Sequence, residues 1–161
     1  VKRVYDGDAW MLAWLMAVFF AAAALSNMLL LRYMPLKFPG KLFLIMQLTR
    51  ILVLLLMWIE PELWLLVAAT IGWGLNMGVT TTLARTIVQE SAEAEYRGRV
   101  LSVFSVGMVG SAPLGAILLG WIIENFGSLN ALVPAMFVSL LLFLYGIFFS
   151  RVWSYRSATA D

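Results

Sequence analysis

The chain contains no cysteine and no histidine, and only 12% of its residues are charged. Without thiols there can be no disulfide and no thiolate metal site. Without imidazole there is no Ser-His-Asp or Cys-His arrangement and no histidine metal ligand. The acids are few, and Glu60, Glu62, Glu90 and Glu124 all fall at the ends of apolar runs. A pair of carboxylates inside an apolar run, the minimum for intramembrane acid–base work, is therefore missing. Asp6-Gly7-Asp8 has the start of a calcium loop but not the later ligands at their fixed spacing, so it reads as a plain turn. The net charge of +2 is spread thinly and makes no nucleic-acid footprint. The expectations are no enzyme, no cofactor, no metal site and no nucleic-acid partner.

What the chain has is apolar length, with 63% of its residues hydrophobic. The charged share is about half of the roughly 25% usual for soluble domains. Five runs are long enough, at about 20 apolar residues each, to cross a bilayer core as helices. They lie at about 10–31, 42–59, 63–84, 100–123 and 129–150. The predicted fold is a single all-α membrane domain of five transmembrane helices over 1–161, with the lipid bilayer as its first partner.

The connections support that division. Pro35, Pro39 and Gly40 break the chain between the first two runs. Glu60-Pro61-Glu62 is so short that the runs on either side must be antiparallel neighbours. The polar stretch 90–99 is expected to hold a short surface helix leading into a basic turn, Arg97-Gly98-Arg99. Residues 124–130 make a tight turn, and Pro134 stands early in the fifth run, where proline is tolerated. The lead 1–9 lacks an initiator Met and a signal-peptide layout, and reads as a cut edge.

The fourth run organises the rest. Its small residues fall in helical rows, Gly107, Ser111 and Gly115 in one and Ala112, Ala116 and Gly120 in the next. Such rows let another helix backbone approach closely where lipid removes the hydrophobic drive. Pro113 between them withholds a backbone donor and is expected to kink the helix.

Charge inside a run is the other signal. Arg50 lies near the middle of the second run with Gln47 one turn before it, and a cation at that depth needs water, an anion or several carbonyls. It either faces a cavity or fixes packing against neighbouring helices. Asn76 and Thr80 form an i, i+4 polar pair in the third run, and Gly72, Gly74 and Gly78 form a close-packing row beside it. Interhelical bonding and cavity lining are both open for that pair. Ser26-Asn27 either lines a cavity or sits at headgroup level, the second reading being the stronger, and Arg85 can snorkel.

Three of these features together, the Arg97-Gly98-Arg99 entry, the run A-P-L-G-A-x-L-x-G from Ala112 to Gly120, and the Asn125-Phe126-Gly127 turn, resemble the eleventh helix of major facilitator superfamily transporters. The likeness is nearest to the bacterial branch of enterobactin and drug exporters. Extended outwards, the five runs resemble helices 8–12 of such a twelve-helix protein. The resemblance implies a secondary transporter portion, a small-molecule exporter of drug or siderophore type in the bacterial inner membrane. It also implies that substrate is handled only together with a missing N-terminal half, since these proteins enclose substrate between two halves. The alternative is a non-transporting interaction module whose small-residue rows dock on partner helices.

With five crossings the basic residues separate by side. Arg32, Lys37, Lys41, Arg85, Arg97, Arg99, Arg151 and Arg156 fall on one face, and Lys2 and Arg3 on the other. By the positive-inside rule the richer face, with the C-terminus, is cytoplasmic and the N-terminus lies outside.

Overall fold

The computed structural model describes residues 8–157 and is all-helical. The lead 1–7, with the Asp6-Gly7 part of the turn, lies outside the described residues, as do 158–161. Five helices follow in order: α1 (Ala9–Tyr33), α2 (Pro39–Trp58), α3 (Leu63–Ser91), α4 (Arg97–Phe126) and α5 (Leu132–Phe148). The first four are long and apolar enough to cross a membrane. At 17 residues α5 is apolar but sits at the short end of what spans.

Local chemistry sets the ends. Asp8 accepts a hydrogen bond from the Met11 amide at 2.9 Å and so caps α1, which is the use this structure makes of the last residue of Asp6-Gly7-Asp8. α2 starts at Pro39, three residues before the expected 42, because proline at the first helical position gives up a donor that would be idle there. At Glu60 the chain takes a left-handed φ of 52°, reversing direction between α2 and α3. α4 ends at Phe126 and is capped by Gly127, whose φ of 90° suits a residue without a Cβ. α5 begins at Leu132 and not 129, since Leu132 and Val133 donate to the Leu129 and Asn130 carbonyls in short turns before the helix starts. The separate surface helix expected in 90–99 is not there. α3 carries through Glu90 to Ser91, and one turn at 94–96, closed by Tyr96 donating to Glu93 O, joins it to α4.

α3 is the hub. It packs on α1 and on α2, more lightly on α4, and α2 in turn carries α5. The α1–α3 contact is made backbone to backbone: a Cβ at Gly74 would strike the Phe19 carbonyl, and one at Gly78 would strike Ser26 Oγ and the Ala23 carbonyl. Phe19 and Trp73 meet edge to face beside it, with ring centroids 5.1 Å apart. Asn27 accepts from Thr82 Oγ1 at 2.6 Å, so it ties α1 to α3 and is not only a headgroup residue. On the other side a Cβ at Gly146 would run into the Leu44 side chain, so α5 lies close on α2.

The tail returns to the bundle. Ser157 donates its amide to Lys37 O at 3.2 Å and its hydroxyl to Glu90 at 2.8 Å, and Tyr155 donates to Glu90 at 3.3 Å. Burial pushes the Tyr155 phenol above its ordinary pKa, a hydrogen bond with Ser91 pulls it down, and Glu90 raises it again. Lys41 lies 5.2 Å from the centre of the Trp153 ring and Arg156 5.8 Å from that of Phe38. The C-terminal ends of α3 and α5 and the N-terminal end of α2, with most of the basic residues, are thus gathered at one end of the bundle.

Candidate functional site

α2 brings Gln47 and Arg50 to the same face, one turn apart, and that face meets α3 at Asn76 and Thr80. Arg50 donates from Nε to Asn76 Oδ1 at 3.3 Å and from Nη2 to Thr80 Oγ1 at 3.0 Å. Asn76 is 4% exposed and fully engaged, since its Nδ2 also donates to the Met46 carbonyl and to Thr49 Oγ1, both at 2.7 Å. Thr80, equally buried, passes its own proton to the Asn76 carbonyl at 2.8 Å. Both acceptors of Arg50 are neutral oxygens, so the charge is solvated by dipoles and not cancelled by a carboxylate.

Gln47, Arg50 and Thr80 line one open cleft of about 220 Å³, with Phe43, Phe104 and Leu142 among its other walls. Four helices of this chain contribute, α2 to α5. Gln47 is 1% exposed, and its Oε1 has no hydrogen-bond partner. An unsatisfied buried carbonyl costs about 1–3 kcal/mol, and turning the amide toward the cleft would relieve it. Of the sequence candidates, Arg50, Gln47 and Thr80 share this cleft. Asn76 stands behind them and holds Arg50 in place.

The small-residue rows are elsewhere. No residue of α4 is buried, and a Cβ at Gly107, Gly110, Gly115 or Gly120 would meet nothing within 4 Å. Val109, Leu114 and Ile117 on the same helix are each more than 70% exposed. The helix runs unbroken through Pro113, which withholds a donor from the Val109 carbonyl, and Ser111 Oγ donates to the Met108 carbonyl at 2.9 Å. At its start Arg97 donates from Nε to the Ala92 carbonyl at 3.2 Å, Arg99 lies 5.9 Å from the Tyr96 ring centre, and Gly98 stands open. The rows and the cleft therefore do not form one site. Thr49 and Asn27 also bond across helices and were not legible as partners, because a lone Thr or Asn in an apolar run is ordinary until its neighbour is known.

A comparison with family profiles matches the Major Facilitator Superfamily over residues 4–159, nearly the whole chain. The chain belongs to that family. Searches of curated proteins and of solved structures gave no match. Family membership makes this an integral membrane protein of transporter type, in agreement with its apolar helices.

Proposed function

We propose that the chain is the C-terminal portion of a bacterial small-molecule exporter, working in the inner membrane with further helices of the same transporter seated against α4. The observation that carries this reading is α4 itself: 30 residues of apolar helix, none buried, with rows of glycine open to approach. Lipid alone does not call for such rows, whereas a second helix bundle does. The polar groups of the Arg50 cleft lie on the side where α4 meets α3, so that a partner bundle on α4 would place them next to a path through the protein.

The test is reconstitution. Liposomes holding the chain alone are expected to show no substrate movement above background. Liposomes in which it is joined to seven preceding transporter helices are expected to export. Movement by the chain alone would overturn the need for a partner bundle, and a partnered chain that exports nothing would favour the non-transporting interaction module.

Orientation is a separate expectation. The basic residues clustered at the tail end of the bundle support a cytoplasmic placement of that end. Ser128, in the turn after α4, and Ser154, exposed in the tail, serve as the two reporters. In intact cells a cysteine at Ser128 is expected to react with an impermeant maleimide, and one at Ser154 only after the membrane is opened. The reverse pattern would invert the topology.

A further inference from the structure

We propose that the Arg50 cleft holds the oxyanion end of an amphipathic organic anion, an assignment that rests on the transport reading above and names its substrate class. The guanidinium presents five N–H donors in a planar fork. Here Nε and Nη2 each meet one neutral oxygen, and no carboxylate of the described residues pairs with the group. The rest of the fork is left for a ligand, and its geometry suits the two oxygens of a carboxylate.

Gln47 supplies the second, independent sign. Its amide is buried to 1% exposure in the wall of the same cleft, one helical turn from Arg50, with Oε1 unpartnered. Half a turn about its last torsion exchanges Oε1 and Nε2, so the amide can give an N–H to a bound oxyanion or accept from a water carried in with it. Thr80 and Thr81 are not competing donors, because their hydroxyl protons go to the Asn76 and Met77 carbonyls.

The remaining walls choose between a bare ion and an organic one. Phe43, Phe104, Met108 and Leu142 surround the polar end with hydrocarbon, and about 220 Å³ exceeds what a halide fills. A carboxylate attached to a small apolar or aromatic body matches both ends: charge against Arg50 and Gln47, body against the two phenylalanines. Asn76 and Thr80 fix the guanidinium before the ligand arrives, which lowers the ordering cost of binding.

The experiment is equilibrium binding of radiolabelled benzoate to the full chain in detergent, with benzyl alcohol as the neutral counterpart and chloride as the bare anion. Benzoate is expected to bind at least about tenfold more tightly than benzyl alcohol, and chloride in about hundredfold excess is expected to leave most of it bound. Arg50→Gln should weaken benzoate by about tenfold or more, and Arg50→Lys by less, since it keeps the charge and loses the fork. Met108→Trp fills the cleft from α4 and leaves the Arg50 residue itself unchanged. It should weaken benzoate to a similar degree while leaving the melting temperature unchanged. Equal binding of benzoate and benzyl alcohol, full displacement by chloride, or undiminished binding by Arg50→Gln or Met108→Trp would each overturn the assignment. The transport reading is scored apart from this. Benzoate binding beside an inactive reconstituted transporter would leave the site and remove the transporter, and active export without benzoate binding would do the opposite.

Discussion

Replacing Gly78 by Leu should unfold the bundle in detergent at temperatures where the parent chain is intact. At this position even a single Cβ would be forced into the Ala23 carbonyl and Ser26 Oγ of α1. The obstacle is helix backbone, which cannot turn aside as a side-chain tip can. Overpacking a well-packed core costs about 1–3 kcal/mol when side chains can move, and more than about 3 is expected here. Separating α1 from α3 would also strip the contacts of Leu15, Leu66 and Ala69, which form the buried cluster with Met57. Gly115→Leu is the matched control. Nothing lies within 4 Å of that position, so in the chain alone the change should stay within about 0.5 kcal/mol. Thermal melts followed by helical circular dichroism give both values. Equal destabilisation by the two substitutions would mean that the α1–α3 approach is not what holds the bundle together.

The second large effect is expected at Arg50, on transport and not on stability. Arg50→Gln removes the charge and at least one of the two bonds to Asn76 and Thr80. Asn76 keeps its own bonds to Met46 and Thr49, so the α2–α3 contact survives. Side-chain hydrogen bonds between membrane helices average about 0.6 kcal/mol, which sets the expected loss of stability near 1 kcal/mol or below. If the charge serves a substrate, the same substitution in the complete transporter should reduce export by more than about tenfold at a normal membrane level. Magnitude therefore separates the two roles that the sequence leaves open for this residue. A packing cation would show lowered expression and melting temperature, with the surviving molecules still exporting. Quantified membrane levels beside initial export rates decide between them.

How much of this is legible in the sequence follows from which forces act locally. The apolar runs mark the helices, because length without charge has few other outcomes. The three-residue Glu60-Pro61-Glu62 link brings α2 and α3 together as antiparallel neighbours, and Gly74 and Gly78 are found where a backbone approaches. Boundaries are less legible. α3 runs on to Ser91 because nothing between Ala84 and Glu90 breaks a helix, and polarity alone does not end one. The rows on α4 look the same in sequence as the row on α3, yet only the latter meets a partner among the described residues. A small-residue row states that a surface can be approached closely, and it does not state by what. Arg50 and Gln47 can be picked out as unusual, and Asn76 and Thr80 as a pair. That Arg50 bonds to both, while Gln47 is left with an unpartnered carbonyl, depends on the rotation of α2 against α3, which no single run encodes. The tail contacts with Glu90 and Lys37 are equally invisible, since they join residues more than sixty positions apart.

The measurement that bears most directly on the central claim, that α4 is a face for further transporter helices, is export by the complete transporter carrying Gly115→Leu. The side chain points at open space in the chain alone and would stand in the way only of a partner backbone. The expected result is a loss of export of more than about tenfold, with the melting of the isolated chain unchanged. Full export at a normal membrane level would show that nothing packs closely on α4 and would contradict the account.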